Sequence, residues 1–514
     1  MFIDGRRVPD GTTIDTDLAI IGAGAAGITI ARELIGSNIS IALIESGGLD
    51  FEPDTQALYD GESVGVPYPL DTSRLRYFGG STNHWGGWCR PMQPIDFEER
   101  DWVPHSGWPI TYDELVPFYE RANKVAQVGP FRFNDADWWS DGGKYHPLPL
   151  PGGDVVTRWF EYSPPTRFGQ VYRKAIESAP NIKTYLNSNV TEIVPDETAK
   201  TIDHLKVATL TGVKFTVRPK RVILATGGIE NARMLLLSNS VQKSGLGNGR
   251  DVVGRYFMEH PHIGQPVQIL ITDPAFVTPY YKTYTKLGGA QIRGVFMFTD
   301  EYLRRTRRLG TVITFSEWKL IRSDGVSDGR PETEEDAALE PDLLQLLHST
   351  TVKPADGPVL GMRYASGCAT EQTPNPLSRV MLSSDEKDAL DLPRTKLDWR
   401  LNLEDRTNLH ENLETLARAF GEWGNGTVRI MFKDKPKWDE AEGWGNHHMG
   451  TTRMASDPRK GVVDADCKVH GIDNLYIAGS SVFTTSATIN PTLTILALAM
   501  RLSDHVKQQF VEGA

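Results

Sequence analysis

The chain has 514 residues, of which 39% are hydrophobic and 24% charged, and its formal net charge is -11. This length exceeds the usual size of one hydrophobic core, so two domains are expected, and the composition is that of a globular protein. Because nucleic acids and anionic lipid surfaces attract basic proteins, the acidic balance predicts that neither is a partner.

The cysteines and the N-terminus bear on location. Cys89, Cys368 and Cys467 are odd in number and far apart, which predicts neither a disulfide framework nor a zinc site. Residues 1–10 contain no apolar segment typical of a secretory signal, and the most apolar run, residues 18–30, is too short and too rich in glycine to span a bilayer. We therefore expect a cytoplasmic protein.

The first elements in chain order predict a βαβ unit. The apolar run at residues 17–21 indicates a strand, and residues 28–35 after a glycine-rich turn indicate a helix. A second strand at residues 39–44 ends at Glu45, whose carboxylate could accept hydrogen bonds from ribose hydroxyls.

The glycine-rich turn has the spacing of a dinucleotide-binding fingerprint. Gly22 permits the tight turn, Gly24 lets the backbone approach a pyrophosphate, and Gly27 lets the helix pack closely on the strand. The N-terminus of the helix adds N–H donors for phosphate. This turn alone does not distinguish FAD from NAD.

Two later segments resemble parts of the same kind of domain. Apolar runs at residues 221–226 and 474–478 each predict a buried strand that ends at glycine, namely Gly227 and Gly479. Residues 492–506 have apolar positions at helical spacing and predict a strong helix.

A second domain is predicted to be inserted between these segments. Alternating runs at residues 265–271 and 293–298 indicate an antiparallel sheet, and the acidic stretch 323–341 indicates an exposed loop. The predicted fold class is therefore α/β plus α+β, with a Rossmann-like domain and an inserted antiparallel-sheet domain. The first would comprise residues 15–100, 170–262 and 445–514, and the second residues 101–169 and 263–444.

A second glycine-rich segment, residues 79–87, carries polar and aromatic side chains. It reads Gly-Gly-Ser-Thr-Asn-His-Trp-Gly-Gly, and Trp88 follows directly. A flexible surface loop is the simplest alternative, but aromatic side chains in a loop usually pack against something.

Six motifs together resemble the glucose–methanol–choline (GMC) oxidoreductases, and the likeness runs over nearly the whole chain. Within the family the sequence is most similar to pyranose oxidases and bacterial glycoside 3-oxidases, because of the His84–Trp85 pair and the form of the C-terminal motifs. The motifs occur in the family's order at residues 22–27, 79–87, 225–233, 254–261, 447–454 and 479–494.

The resemblance implies a glutathione-reductase-like domain that binds FAD in an extended form. Some pyranose oxidases attach FAD through a histidine that corresponds to His84, but in those enzymes Ser-Thr directly precedes the histidine, whereas here Asn83 intervenes. A non-covalent contact is therefore preferred, and a covalent link stays the alternative. The implied cofactor contacts are Gly22, Gly24, Ala26, Gly27, Glu45, Ser46, Gly79, Gly80, Ser81, Asn83, His84, Trp85, Val190, Ala225, Thr226, Gly227, Gly479, Ser480, Asn490, Pro491 and Thr492.

The predicted catalytic residues are His447 and Asn490, which match the family's His–Asn pair. An imidazole suits removal of a hydroxyl proton, and a nearby hydrogen-bond donor would stabilise the developing alkoxide. His448 would point the other way on an extended chain and is interpreted as structural. The segment Glu259-His260-Pro261-His262 looks like a ligand cluster, but no third ligand segment stands out, so a structural strand is preferred over a metal site.

The resemblance predicts oxidation of a sugar or glycoside hydroxyl to a keto-sugar, with C3 of a glycoside favoured and C2 of a pyranose next. Arg167 and Thr451 are the predicted substrate contacts. Reoxidation by O2 or by a quinone-like acceptor is left open, as are a non-sugar alcohol such as choline, an NAD-dependent dehydrogenase and a non-redox protein on the same fold. An aromatic group could stack on sugar rings or fill the core instead: Trp138, Trp139, Trp159, Phe160 and Tyr162.

Overall fold

A computed structural model describes residues 1–272, 276, 281, 285–322, 359–433, 438 and 443–512, and for residues 316–322 and 359–365 it describes the backbone alone. The loop predicted at residues 323–341 lies outside the described residues. Within the described ranges, no helix is both long and apolar enough to cross a membrane.

The strands alternate with helices in the first half of the chain and run largely without them in the middle. In chain order the strands are β1 (Phe2–Asp4), β2 (Thr13–Ile21), β3 (Ile41–Ile44), β4 (Gly61–Gly65), β5 (Trp88–Cys89), β6 (Val155–Tyr162), β7 (Ile182–Leu186), β8 (Asn189–Pro195), β9 (Ile202–Ala208), β10 (Lys214–Leu224), β11 (Pro261–Ile271), β12 (Thr285–Leu287), β13 (Ala290–Phe298), β14 (Thr311–Arg322), β15 (Val359–Thr370), β16 (Arg379–Lys387), β17 (Pro393–Trp399), β18 (Gly426–Ile430), β19 (Gly443–Trp444) and β20 (Leu475–Ile477). The α-helices are α1 (Ala25–Glu33), α2 (Pro53–Gln56), α3 (Pro94–Phe97), α4 (Tyr112–Ala126), α5 (Phe168–Val171), α6 (Arg173–Ser178), α7 (Glu230–Leu237), α8 (Asp300–Thr306), α9 (Leu403–Trp423) and α10 (Thr492–Glu512).

The first sheet is the predicted Rossmann-like sheet. Its strands lie in the order β1-β7-β3-β2-β10-β9-β8, and β20 pairs with the end of β10. The pairs of β2 with β3 and with β10 are parallel, and residues 18–21 in the middle are at most 3% exposed. Strands of a parallel sheet are covered on both faces, which is why these segments are continuously apolar. Helix α10 packs against α1 and α4 beside this sheet.

The second sheet is antiparallel, as predicted for the inserted region. Its strands lie in the order β18-β11-β15-β14-β13-β6-β5, with β12 beside β13 and β19 beside β11. A third sheet of three strands, β16-β17-β4, stands apart. The predicted strands at residues 265–271 and 293–298 fall within β11 and β13.

The two large sheets draw on different parts of the chain. Strand β5 and the first two residues of β11 fall in ranges predicted for the Rossmann-like domain. Both strands nevertheless belong to the antiparallel sheet. The domain boundaries stay a prediction. Strands β5 and β11 connect the two predicted domains, and both contribute residues to the cavity described below.

Candidate active site

A cavity of about 740 Å³ lies where the carboxyl ends of the first sheet face the second sheet. Strand ends β2, β3 and β10 open onto it from one side, and strands β6, β11, β13, β14 and β15 form part of the other side. Ligands of open α/β sheets bind at the carboxyl ends of the strands, so this is the position expected for a nucleotide.

The three fingerprint glycines have different surroundings. Gly22 has φ +99°, and a Cβ there would lie 2.6 Å from the carbonyl oxygen of Ala225. A Cβ on Gly27 would lie 1.9 Å from the carbonyl oxygen of Gly22, so this glycine supports the turn and is not part of the described cavity wall. A Cβ on Gly24 would meet no atom within 4 Å, because this glycine faces the open cavity.

Two further glycines leave the same cavity open. Gly227 in the turn after β10 has φ +91°, and Gly479 after β20 has φ +108°. A Cβ on either would meet no protein atom within 4 Å, and both residues line the cavity. Exposed backbone at three separate turns, with the N-terminus of α1 among them, fits the phosphate and ribose groups of an extended dinucleotide.

Glu45 fits the same interpretation. It is 5% exposed and lines the cavity at the end of β3. One carboxylate oxygen accepts from the Ala23 N–H at 2.9 Å and the other from the Gly47 N–H at 2.9 Å. The carboxylate is therefore held at the turn by the backbone.

Most other predicted cofactor residues also line the cavity, and two do not. Asn83 donates through Nδ2 to the carbonyl of Phe78 at 3.0 Å and, with Gly79, lies behind the wall as part of the turn. The lining members are Ala26, Ser46, Gly80, Ser81, His84, Trp85, Val190, Ala225, Thr226, Ser480, Asn490, Pro491 and Thr492.

His84 and Trp85 are at the cavity, as the glycine-rich segment predicted. Trp85 donates from its indole nitrogen to the carbonyl of Thr166 at 2.9 Å, which fixes the ring. Burial, and then the nearby Arg167 guanidinium, lower the pKa of His84 below its usual value. Its imidazole is therefore neutral at physiological pH.

The predicted catalytic pair comes together across 43 positions of sequence. Asn490 Nδ2 and His447 Nε2 are 3.0 Å apart, and both residues line the cavity. Burial, followed by the neighbouring imidazoles of His260, His262 and His448, lowers the pKa of His447 well below its usual value. A neutral imidazole with a free lone pair is the form that can accept a proton.

His447 has a second partner that the sequence interpretation missed. The Nδ1 atoms of His447 and His260 are 2.9 Å apart, and His260 Nε2 is 2.9 Å from the carbonyl oxygen of Ser486. The segment at residues 259–262, interpreted above as a structural strand alone, therefore also reaches the predicted base. Alternation along the strand was the available signal, because it puts His260 and His262 on one face.

Glu259 holds the backbone of this cluster. Its carboxylate accepts from the N–H of His447 at 2.8 Å, from the N–H of His260 at 2.8 Å and from the hydroxyl of Tyr68 at 2.6 Å. The side chain is fully buried, and burial raises its pKa to about 7 against the effect of these donors.

His448 points away from His447, as predicted for neighbours on an extended chain. Its ring stacks on Phe257 with centroids 6.2 Å apart and meets Tyr68 edge-on at 5.4 Å. Burial lowers its pKa to about 3. His448 also lines the cavity, so the contacts with Phe257 and Tyr68 do not cover its whole surface.

The two predicted substrate contacts lie outside the cavity wall. Arg167 donates to the carbonyl oxygens of Thr82 at 3.0 Å and Trp85 at 2.9 Å, so it supports the glycine-rich loop. Thr451 is fully buried and donates to the carbonyl of Gly228. Nη1 of Arg167 and the hydroxyl of Thr451 therefore bond the backbone, and a contact of either residue with the substrate stays a prediction.

The aromatic group, for which sugar stacking and core filling were both open, is divided between several environments. Trp139 and Trp159 are buried in the core of the second domain, and Trp138 is 42% exposed. Phe160 alone of the five predicted rings lines the cavity, where Trp88 meets it with centroids 5.6 Å apart. The core-filling alternative was therefore right for most of this group.

Charged residues that the motifs did not suggest also line the cavity. Arg74 and Arg76 form ion pairs with Glu230 at 3.2 and 3.3 Å. Arg293 of β13 lies against the Trp88 ring, 5.0 Å from its centroid, and donates to the carbonyl of Phe315. Glu230 also lines the cavity and lies within the motif at residues 225–233, although it was not singled out there.

Comparison with known proteins agrees with this geometry. The FAD dependent oxidoreductase family model matches residues 17–376, and the GMC oxidoreductase model for the C-terminal domain matches residues 374–499. The chain therefore belongs to the FAD dependent oxidoreductases, and it is a GMC enzyme that oxidises alcohols or sugars and uses FAD.

Relatives with known activities span several substrates. The chain is 24% identical to the fructose dehydrogenase large subunit of Gluconobacter japonicus, over 98% of this chain and 99% of that protein. It is 23% identical to 2-methyl-1,2-propanediol dehydrogenase of Mycolicibacterium austroafricanum, over 96% of each. A C-glycoside 3-oxidase of Arthrobacter globiformis is 29% identical over 26% of this chain and 25% of its own length.

The solved structure of formate oxidase has the same fold. It matches with a TM-score of 0.59 and 15% identity over 98% of this chain and 100% of that chain. At this identity the likeness supports the fold class and says nothing about substrate.

Proposed function

We propose that this enzyme oxidises a secondary hydroxyl of a sugar or glycoside to a keto-sugar, with C3 of a glycoside favoured and C2 of a pyranose next. The observation that carries the proposal is the pairing of His447 Nε2 with Asn490 Nδ2 at 3.0 Å on the wall of the cavity. Bound FAD would supply the hydride acceptor, at N5 of its ring.

The residues that would hold FAD are those at the open turns. Gly24, Gly227 and Gly479 would face its phosphate and ribose groups, and Glu45 would accept from a ribose hydroxyl. The N-terminus of α10, after Pro491, adds positive dipole at the catalytic end of the cavity.

His447 and Asn490 would share the reacting hydroxyl. His447 Nε2 would accept its proton, and Asn490 Nδ2 would donate to the oxygen as negative charge develops on it. Both groups line the cavity before substrate binds, and the substrate hydroxyl would take the place of their mutual hydrogen bond.

Features of the second sheet support a sugar. Trp88 and Phe160 offer apolar ring faces, and Arg293 offers N–H donors beside them, a combination that suits a ring bearing hydroxyls. The sugar substrates named for the fructose dehydrogenase and the C-glycoside 3-oxidase point the same way. A cytoplasmic location, and O2 or a quinone-like acceptor, remain predictions.

Anaerobic mixing of the FAD-loaded enzyme with substrates tests the proposal. Glucose and a panel of glycosides should bleach the flavin absorbance, and product NMR should identify a keto-sugar. His447→Ala should keep bound FAD but slow reduction at least about a hundredfold, because the base is lost. Reduction at the parent rate in this variant would remove the assignment of His447.

A non-sugar alcohol is the second candidate, favoured by the identity with 2-methyl-1,2-propanediol dehydrogenase over nearly the full length. Adding choline and simple diols to the same panel separates the two. Bleaching by diols but by no sugar would refute the sugar proposal and leave the catalytic pair standing.

A further inference from the structure

The inference concerns His260, and it rests on the proposed function of His447. His260 is 1% exposed and has partners on both ring nitrogens. A carbonyl oxygen can only accept, so the contact with Ser486 O requires that His260 Nε2 carries the proton. Nδ1 of a neutral His260 is then an acceptor.

The same reasoning extends to His447. If His260 Nδ1 accepts, the 2.9 Å contact between the two Nδ1 atoms requires a proton on His447 Nδ1. His447 Nε2 is then left with a lone pair, which accepts from Asn490 Nδ2–H at 3.0 Å. All three hydrogen bonds run in one direction, from Asn490 through His447 and His260 to the Ser486 carbonyl.

We propose that His260 is a positioning residue that fixes His447 in the tautomer with its proton on Nδ1 and its lone pair on Nε2, the atom that meets Asn490 and the substrate hydroxyl. The opposite tautomer would place a proton where the base must accept one. His260 would also accept a charge-assisted hydrogen bond from the imidazolium that forms during the reaction.

The surroundings of the pair agree with neutral rings in the resting enzyme. Burial lowers the pKa of His260 to about 4, and it also lowers the pKa of His447 well below its usual value. The other titratable groups that face His447 are His262, His448 and Glu259, whose Oε1 lies 3.9 Å from His447 Nδ1, with Tyr68 behind Glu259. Glu259 is the acidic member of this group and would favour the imidazolium when ionised.

Two substitutions separate this role from simple packing. In His260→Asn, Oδ1 can take the position of Nδ1 and keep an acceptor for His447, whereas His260→Leu removes it. His470→Leu is the matched control, because His470 Nε2 also bonds a backbone carbonyl, that of Ala455 at 2.9 Å, but lies outside the cavity wall.

Flavin reduction by the best sugar should fall at least about tenfold in His260→Leu and much less in His260→Asn. The acid limb of the pH profile should move to lower pH only in His260→Leu, since its imidazolium at 447 loses its acceptor. Equal losses in both variants with an unmoved pH limb would assign His260 a packing role and overturn the proposal.

A spectroscopic readout tests the tautomer even if no sugar reduces the enzyme. In FAD-loaded protein labelled with [15N]histidine, the resonances of His447, assigned by their loss in His447→Gln, should show protonated Nδ1 and bare Nε2. They should change in His260→Leu and stay unchanged in His470→Leu. Protonated Nε2 in the parent would overturn the proposal, whereas absence of reduction by every sugar would instead refute the proposed function.

Discussion

Gly24 and Gly27 both belong to the glycine-rich turn after β2, but they are needed for different reasons. Gly27 is needed because the backbone of Gly22 leaves no space for a side chain, so its replacement strains the fold itself. At Gly24 a Cβ would meet no protein atom within 4 Å, and its φ of -88° is one that any residue adopts. The fold therefore does not require glycine at this position, and the missing side chain leaves space for the ligand of the cavity. One position therefore reports on folding and the other on binding.

A pair of alanine variants tests this distinction. Gly24→Ala should unfold at the parent temperature when FAD is absent and bind FAD at least about tenfold more weakly, because its methyl group occupies the place of the pyrophosphate. Gly27→Ala should lose about 1–3 kcal/mol of stability without FAD, since it overpacks the turn. Thermal unfolding of apoprotein and titration with FAD measure both, and FAD affinity of Gly24→Ala equal to that of the parent would contradict the assignment.

At the scale of elements, one wall of the cavity is formed by side chains of neighbouring strands in the second sheet. Strands β6, β13 and β14 are neighbours, and Phe160, Arg293 and Thr314 from these strands line the cavity. Neighbouring strands lie about 4.8 Å apart, so three of them span roughly the size of two sugar rings. A regular sheet holds such a row with little freedom to move.

Arg293→Met tests whether this row binds the substrate. The variant keeps an unbranched side chain beside Trp88 but loses the N–H donors, so KM for the sugar should rise about tenfold while the maximal rate of flavin reduction changes less than about twofold. Arg158→Met on β6 is the matched control, because its guanidinium also bonds a sheet carbonyl, that of Thr157, but does not line the cavity. A lower reduction rate at unchanged KM would place Arg293 elsewhere in the reaction.

At the scale of the whole molecule, two buried carboxyls affect stability in opposite directions. Burial alone would raise the pKa of Glu230, but Arg233, Arg76 and Arg74 outweigh it and lower the value to about 2. Glu161 is fully buried, forms no ion pair in the described part of the chain, and burial raises its pKa to about 8. Glu230 therefore ties the segment at residues 74–76 to α7, whereas ionised Glu161 opposes folding.

The sign of each pH effect follows from these shifts. A raised pKa in the folded state means that the favourable contribution of Glu161 is complete below its unfolded value of 4.5 and is lost as pH rises toward 8. Glu161→Gln should remove this loss, which amounts to roughly 3 to 5 kcal/mol, so the variant should be more stable than the parent at pH 8.5 and similar at pH 4.5. Glu230 acts in reverse, and its contribution is present above pH 4.5 and lost as pH falls toward 2.

Glu230→Gln is the contrasting variant. It leaves three guanidinium groups buried around a neutral side chain and should cost about 3–5 kcal/mol at pH 7. Denaturant unfolding of both variants at pH 4.5, 7 and 8.5 provides the measurement. A Glu161→Gln protein that is less stable than the parent at pH 8.5 would show that Glu161 has a partner when ionised.

Much of the fold and part of the site followed from local sequence pattern. The glycine spacing at 22–27, the apolar strands before Glu45 and Gly227, and the helix after Pro491 are set by short-range backbone and burial requirements, so they can be recognised in a single chain. The pairing of His447 with Asn490 was expected only from the family resemblance, since 43 positions separate the two.

Only the tertiary structure decided which side chains contact each other when they are distant in sequence, because no local pattern contains that information. Alternation in the segment that leads into β11 predicts the face on which His260 lies, but only tertiary packing brings its Nδ1 within 2.9 Å of His447 Nδ1, 187 positions away. For the same reason Arg167 and Thr451, plausible in sequence, turned out to bond the backbone, while Arg293 and Trp88 line the cavity. Hydrogen bonds and apolar contacts act over a few ångströms, so partners distant in sequence are fixed only when the whole chain has folded.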